Sequence, residues 1–156
     1  MEYAGDTAMD RWVPQRGAMR LLERIVEVDE ERAVAQARVP ADGLFTREGE
    51  VPAWVGIEYM AQTISAWAAG RARRNGSGDE PRMGLLLGSR RYTAHRAAFP
   101  AGALLRIEAR CELIGDNGLG LFDCRIDMDG APVASARVSV FEPDDAIAFL
   151  KAQAFS

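Results

Sequence analysis

Apolar and polar residues alternate over six segments of the chain, and this period of two is typical of β-strands with one buried face. Two segments come early in the chain, and the other four follow one another after residue 82. The sequences Asp116-Asn117-Gly118 and Asp129-Gly130 separate the last three segments and predict hairpin turns, because glycine tolerates positive φ. The six predicted strands are residues 22–29, 33–40, 83–95, 104–114, 120–128 and 131–142.

The first of these hairpins also predicts how the two cysteines are placed. If Asn117-Gly118 is a two-residue loop, Cys111 and Cys124 face each other across the hairpin. Free cysteine is among the most buried residue types, so two small apolar side chains are favoured here over a redox pair.

Residues 51–70 have a different pattern, which predicts one long buried helix. They carry a single charge, Glu58, and Pro52 fits the first helical turn, where its missing N–H does no harm. The other sides of the helix are hardly more polar than its broad apolar face, which is typical of burial. A short second helix is predicted over residues 144–153. The broad apolar face consists of Trp54, Ile57, Met60, Ala61, Ile64, Trp67 and Ala68.

This order of elements predicts an α+β fold, with a curved antiparallel β-sheet wrapped around one long central helix. The length of 156 residues suits one domain, predicted over residues 12–156 after a flexible tail at residues 1–11. A sheet around a single helix leaves one open flank, which such proteins commonly close by dimerising. A transmembrane interpretation of residues 51–70 is disfavoured because Glu58 and Gln62 lie near its middle.

Composition narrows the possible functions further. A formal net charge of −4 argues against a general nucleic-acid binder. With two cysteines and no Cys/His cluster, the sequence predicts neither a disulfide framework nor a metal site. The first residues lack the apolar segment of a signal peptide, so a cytoplasmic location is expected.

Candidate chemistry centres on Glu58. On the predicted helix it shares a narrow strip with Gln62, Ser65 and Ala69, and Gln62 is four residues away, within contact distance. The free N–H groups of the helix start, about 9 Å from Glu58, can stabilise a developing thioester oxyanion. A carboxylate beside such donors suits proton transfer next to a carbonyl. A structural salt bridge between Glu58 and an arginine remains the alternative.

Three sequence motifs carry a family resemblance. The segment PAWVGIEYMAQ, residues 52–62, resembles the helix motif of FabA/FabZ-type 3-hydroxyacyl-[acyl-carrier-protein] dehydratases. Residues 13–29 resemble the opening of that family, and residues 89–109 resemble its Arg-Phe…Pro-Gly-Asp strand-turn-strand. Within residues 52–62, the segment WVGIEYMAQ is most similar to the corresponding segment of dehydratase-like proteins of aryl-polyene-type lipid clusters. The resemblance implies a hotdog fold.

The resemblance also implies a reaction and a set of site residues. Members dehydrate 3-hydroxyacyl thioesters carried on the phosphopantetheine of an acyl carrier protein or on CoA, with no further cofactor. They use a His and an Asp/Glu that face each other across a dimer interface. Glu58 matches the acidic position and Gln62 the glutamine after it. The backbone N–H groups of Ala53 and Trp54 match the thioester carbonyl donors, and Trp54, Trp67 and Tyr59 are expected to shape the acyl tunnel.

The histidine of that family is missing from its expected places. The loop of residues 41–50 has none, and Gln15 stands where the opening motif carries one. Glutamine cannot serve as a general base near neutral pH. His95 is the one histidine in the chain, so His95 and Gln15 are the candidate partners of Glu58, with an ordinary strand-end role favoured for His95.

Three functions therefore remain open. The first is a 3-hydroxyacyl thioester dehydratase with an altered site. The second is a non-catalytic hotdog subunit that binds acyl chains or pairs with an active dehydratase, and the third is a hotdog thioesterase that uses Glu58 and a water. A homodimer and a heterodimer are both compatible with the sequence. Seven arginines predict a basic surface for an acidic carrier protein: Arg71, Arg73, Arg74, Arg82, Arg90, Arg91 and Arg96.

Overall fold

The computed structural model describes residues 3–4, 9–76 and 85–141. The predicted helix at residues 144–153 lies outside them. The described elements are strands β1 (Tyr3–Ala4), β2 (Arg24–Val28), β3 (Arg32–Arg38), β4 (Glu50–Pro52), β5 (Leu85–Ala94), β6 (Ala98–Pro100), β7 (Leu104–Ile114), β8 (Leu119–Met128) and β9 (Ala131–Phe141), the 3₁₀ turns Gly17–Met19 and Ala53–Val55, and helix α1 (Gly56–Arg74).

An antiparallel sheet surrounds the helix, as the sequence pattern predicted. Within the described residues, the sheet has seven strands in the order β1-β2-β3-β7-β8-β9-β5, and β4 forms a separate pair with β6. Every paired strand is antiparallel to its neighbour. Helix α1 contacts β2, β3, β7, β8, β9 and β5, so the sheet curves around it. The predicted α+β architecture is therefore confirmed.

Alternating burial along the strands builds the core. In β7 the side chains of Leu105, Ile107 and Ala109 are buried, whereas the residues between them are only partly covered. The buried side chains face α1, where Trp67 packs edge-on against Phe122 with 5.2 Å between the ring centroids. One apolar face of the sheet thus covers the helix, which explains why α1 needs no broad polar side.

The helix begins and ends later than predicted. Pro52 ends β4 and caps a 3₁₀ turn (Ala53–Val55), and the α-helix itself starts at Gly56. It continues through the basic residues to Arg74, four residues beyond its predicted end at residue 70. Because a 3₁₀ turn has three residues per turn, the helical wheel does not apply to Trp54. Trp54 is 65% exposed, and its predicted place on the buried apolar face is wrong.

Parts of the predicted flexible tail belong to the fold. Tyr3 and Ala4 pair with Ile25 and Arg24 of β2. Met9 is buried in the hydrophobic core. These contacts differ from the loose tail predicted for residues 1–11, because isolated apolar residues in a short polar segment give no periodic signal.

The two hairpins differ in how well they were predicted. Asp129 and Gly130 form a two-residue turn with φ values of 53° and 82°, as predicted. The other turn contains three residues, with the Gly115 N–H donating to the Leu119 carbonyl, and β7 carries a bulge before Leu113.

This longer turn and the bulge shift the strand register, so the predicted pairing of the cysteines is wrong. Cys111 faces Phe122, and Cys124 faces Ala109. Both cysteines are free, and burial raises the pKa of each thiol. A raised pKa lowers the thiolate fraction, which agrees with a packing role.

Candidate active site

Glu58 lies in the first turn of α1 and is half-buried. Its Oε1 accepts a hydrogen bond from Gln62 Nε2 at 3.0 Å, one helical turn further along. The predicted contact between the two side chains is thus present. Among the described residues no arginine forms an ion pair with Glu58, so the salt-bridge alternative has no support in the structure.

Gln62 connects this carboxylate to a distant part of the chain. Its side chain is 0% exposed, and Nε2 also donates to the Met19 carbonyl at 2.8 Å. Its Oε1 accepts the Leu21 N–H at 2.9 Å. Both the nitrogen and the oxygen of the Gln62 amide are therefore hydrogen-bonded. The backbone carbonyl and the backbone N–H that they contact determine which way the amide is turned. Gln62 consequently holds Glu58 in one position and ties residues 19–21 to the helix.

An ion-pair cluster holds the other side of this segment. The Arg20 guanidinium bonds the Asp10 carboxylate and, through Nε, the Gln15 carbonyl at 3.1 Å. Arg16 pairs with Asp10 at 2.7 Å. The hydrogen bond from Arg20, aided by Arg16, lowers the pKa of Asp10. The segment that contacts Gln62 is thus fixed by charges as well as by the helix.

Close packing fixes the start of the helix. The Tyr92 hydroxyl donates to the Ala53 carbonyl, and it lies where a Cβ on Gly56 would overlap it. The Ala53 N–H donates to the Ala97 carbonyl at 2.9 Å. Of the two predicted thioester donors, Ala53 is therefore already engaged. Trp54 remains the candidate donor, because the first N–H groups of a helix have no acceptor within it.

An exposed apolar surface adjoins this helix start. We call the side chains of Met19, Leu44 and Trp54 the open apolar surface, since all three are large and exposed. Phe45 supports Trp54 edge-on, with 6.2 Å between the ring centroids. With Arg47 they line an open cavity of about 400 Å³. Because Met19 also holds Gln62, this surface lies next to the Glu58 site.

A second cavity, of about 280 Å³, lies behind the same segment. Its apolar lining includes Leu22, Phe45 and Val51. Tyr59 also lines it and is 1% exposed, and burial raises the pKa of Tyr59 to about 12. The cavity is therefore a largely apolar space with one buried hydroxyl-bearing side chain in its wall.

The structure does not place His95 or Gln15, the two predicted catalytic partners, at Glu58. His95 is exposed beyond the end of β5, where its N–H donates to the Val133 carbonyl. The Gln15 carbonyl accepts from Arg20, and the buried Gln15 Oε1 has no hydrogen-bond partner. Neither side chain bonds Glu58 within the described residues. Gln62 is thus the one predicted partner that Glu58 meets in this chain.

The predicted basic surface is divided between the two ends of the helix. Arg71, Arg73 and Arg74 lie in its last turn. Arg91 and Arg96 flank Tyr92 and Ala97, which contact the helix start. The 19-residue helix separates these groups by about 27 Å. Of the remaining two, Arg82 lies outside the described residues.

Several features of this site leave no signal in the sequence. The backbone partners of Gln62 lie more than forty residues away, at Met19 and Leu21, and backbone groups leave no trace in residue identity. Tyr59 was expected to shape an acyl tunnel, but its direction depends on which strands cover it. Within the described residues no cluster of three or more His, Cys, Asp or Glu residues suits a metal ion, and no helix is long and apolar enough to cross a membrane.

Comparisons with known proteins place this site in context. The family model of ApeP-like proteins, described as ApeP dehydratase, matches residues 7–151. A chain of the dehydratase heterocomplex ApeI:P from Xenorhabdus doucetiae is 28% identical with a TM-score of 0.82, and the match covers 92% of this chain and 95% of that one. No curated protein matches the sequence.

More distant structures share the fold alone. A hypothetical thioesterase with coenzyme A from Streptococcus pneumoniae is 17% identical with a TM-score of 0.58, over 76% of this chain and 83% of that one. The smu.793 protein of Streptococcus mutans bound to acetyl CoA is 16% identical with a TM-score of 0.57, over 76% and 86%. Together these likenesses identify the sheet around α1 as a hotdog fold, as the sequence predicted.

Proposed function

The chain belongs to the ApeP-like dehydratase family, and from this premise we propose that it dehydrates 3-hydroxyacyl thioesters as one half of a two-subunit enzyme. In this proposal it contributes Glu58, and a second hotdog subunit contributes a histidine. The observation that carries the proposal is the Glu58–Gln62 pair. Gln62 fixes the carboxylate in one position, while no base or acid of the described residues bonds it from the other side.

The proposed reaction needs two proton-transfer groups. The thioester acidifies the C2–H bond, and one group takes that proton while the other protonates the departing 3-hydroxyl. The C2–H and C3–O bonds break, the C2=C3 double bond forms, and water leaves. Glu58 is proposed as one of these groups. The Trp54 N–H at the helix start would stabilise the charge that develops on the thioester oxygen.

The open apolar surface supports a partner subunit. Exposed apolar side chains of this size next to a site favour protein–protein contact, and Trp is among the residues enriched at interface hot spots. The similar chain from Xenorhabdus doucetiae comes from a dehydratase heterocomplex. By analogy we propose that Met19, Leu44 and Trp54 contact a hotdog subunit that brings its histidine towards Glu58. This form of the proposal selects the heterodimer over the homodimer, since the similar chain of Xenorhabdus doucetiae belongs to a complex of two different subunits.

We further propose that the acyl group arrives on the phosphopantetheine of an acidic carrier protein. Arg91 and Arg96 lie at the same end of α1 as Glu58, whereas Arg71, Arg73 and Arg74 lie at the other end. Positive charge near the site favours encounter with an acidic partner. The family resemblance favours acyl chains of fatty-acid or aryl-polyene-type biosynthesis.

The test is a mass-spectrometric assay with a 3-hydroxyacyl carrier protein. The full chain is assayed alone and together with a histidine-bearing hotdog dehydratase subunit from the same organism. Glu58→Gln is the matched variant, because glutamine keeps an acceptor for Gln62 and removes the acid. We expect loss of one water with the pair of subunits, and at least a hundredfold slower reaction when Glu58→Gln replaces the natural chain.

Other outcomes would select the alternatives. Full activity of the pair with Glu58→Gln would make this chain a non-catalytic subunit. Release of free thiol without loss of water would indicate a thioesterase. Full activity of the chain alone would contradict the need for a second subunit, and His95→Gln would then show whether its own histidine acts.

A further inference from the structure

The cavity of about 280 Å³ lies just below the roughly 300–1,000 Å³ of typical ligand sites and shares their mainly apolar lining. Segment 18–23, the loop after β3 and the helix enclose it, and most of its wall is apolar. Two arginines at the cavity are already engaged. Arg20 bonds Asp10 and the Gln15 carbonyl, and Arg38 donates to the Gly102 carbonyl at 2.8 Å. Glu23 also lines the cavity and is exposed to solvent.

Tyr59 differs from the two arginines of this wall in the hydrogen bonding of its polar group. It is 1% exposed, yet its hydroxyl has no hydrogen-bond partner among the described residues. The buried hydroxyl of Thr63, one turn further along, is satisfied by the Tyr59 carbonyl at 2.9 Å. The Tyr59 hydroxyl oxygen is not among the completely enclosed unpartnered atoms of the described residues, so it keeps a small open surface. Polar groups inside proteins are mostly hydrogen-bonded, either to the protein or to a molecule that reaches them. Because Tyr59 lines the cavity, a molecule bound there can supply the partner of its hydroxyl.

The cavity adjoins the candidate reacting centre. Leu21 lines the cavity, and its N–H bonds the Gln62 amide that holds Glu58. Tyr59 follows Glu58 directly in α1, so the two side chains leave the helix about 100° apart. An acyl chain whose reacting carbons lie at Glu58 can therefore extend its distal end along this wall.

We propose that Tyr59 determines acyl specificity by donating a hydrogen bond to an oxygen at the distal end of the acyl chain. The ligand class is an acyl thioester that ends in a hydroxyl, ether or carbonyl group instead of a methyl group. This inference rests on the proposed function, because the ligand is its substrate. Apolar neighbours such as Leu22 and Val51 cover the remainder of the chain, and Tyr59 supplies a directional contact from the buried helix.

The test compares two unreactive acyl-pantetheine thioethers of equal length, one ending in a methyl group and one in a methoxy group. Calorimetry measures their Kd values for the full chain, alone and with the hotdog partner. We expect about fivefold tighter binding of the methoxy-ended ligand, as one net hydrogen bond provides. Tyr59→Phe should bind both ligands equally. Thr63→Val is the matched control, because it removes a buried hydroxyl that is already satisfied, and it should keep the preference.

Each other outcome overturns the proposal. Equal Kd values for the natural chain, or a preference that Tyr59→Phe retains, would remove Tyr59 from specificity. If the dehydration assay succeeds while the two Kd values are equal, this inference fails and the proposed function stands. If neither ligand binds and no water is lost from any 3-hydroxyacyl thioester, both fail together.

Discussion

Gln62 Nε2 lies 3.0 Å from Glu58 Oε1 and 2.8 Å from the Met19 carbonyl, so one buried amide joins the acid to a segment more than forty residues away. A carboxylate held in this way cannot rotate freely. The same amide accepts the Leu21 N–H. The position of Glu58 therefore depends on the docking of residues 19–21 as much as on the helix that carries it.

Gln62→Met should destabilise the fold. It removes the side-chain partners of the Leu21 N–H and the Met19 carbonyl, two partly buried bonds, which we expect to cost about 1–3 kcal/mol in the free energy of unfolding. Urea denaturation measures the change. Glu58→Gln is the control and should change stability by about 0.5 kcal/mol or less, since the half-buried side chain keeps an acceptor. Equal stability of Gln62→Met and the natural chain would contradict the bridging role.

Gly56→Ala should destabilise the start of α1, because its Cβ would overlap the Tyr92 hydroxyl. Such overpacking costs about 1–3 kcal/mol. Removing that hydroxyl in the double variant Gly56→Ala/Tyr92→Phe should recover part of the loss. A double-mutant cycle of thermal unfolding measures the coupling. Additive effects of the two substitutions would show that the overlap is relieved elsewhere.

Trp54→Ser should weaken assembly with a hotdog partner while leaving the isolated chain folded. The side chain is 65% exposed, so its loss removes little intramolecular packing, whereas an interface tryptophan contributes about 2 kcal/mol or more. Leu113→Ser is the matched control, because Leu113 is 62% exposed on the β7–β8 hairpin. Sedimentation equilibrium of the mixed subunits measures both. Equal weakening by the two variants would argue against the open apolar surface as the contact.

Arg96→Glu should slow the reaction of a carrier-bound substrate. We expect kcat/KM to fall about five- to tenfold at low salt, with a smaller effect at high salt, because screening weakens steering between exposed charges. Arg74→Glu makes the same change of charge at the far end of the helix and should have little effect. A pantetheine-bound substrate should respond less to Arg96→Glu. Equal losses for the two variants would indicate a general effect of net charge.

Tyr59→Phe should make the protein less sensitive to alkali. Burial raises the pKa of Tyr59 to about 12 from the usual 10.0, so the folded state favours the protonated phenol. The resulting stability is fully present below pH 10 and is lost as the pH rises towards 12. A difference of two pKa units corresponds to a contribution of about 3 kcal/mol at most to the free energy of unfolding. Urea titrations at pH 8 to 11 measure it, and parallel pH profiles of the natural chain and Tyr59→Phe would contradict the burial effect.

The positions predicted correctly are those that local pattern controls. Alternating residues such as Leu105, Ile107 and Ala109 identify a strand and its buried face, because a strand has a side-chain period of two. The Asp129-Gly130 turn follows from backbone preference alone. The contact of Glu58 with Gln62 follows from the four-residue spacing of a helix. The sequence by itself therefore determined the class of fold, the buried helix and the candidate acid.

Tertiary structure decided what each of these groups meets. A three-residue turn and a bulge moved Cys111 opposite Phe122, because one extra residue shifts the strand register. A 3₁₀ turn exposed Trp54, and the Ala97 carbonyl accepted the Ala53 N–H. The length of α1 placed the arginines of residues 71–74 far from Arg91 and Arg96. The partners of Gln62 and the cavity beside Tyr59 arise only where distant segments pack together. Local periodicity predicts which face of an element is buried, but contacts between segments depend on register, turn length and packing, which no short stretch of sequence contains.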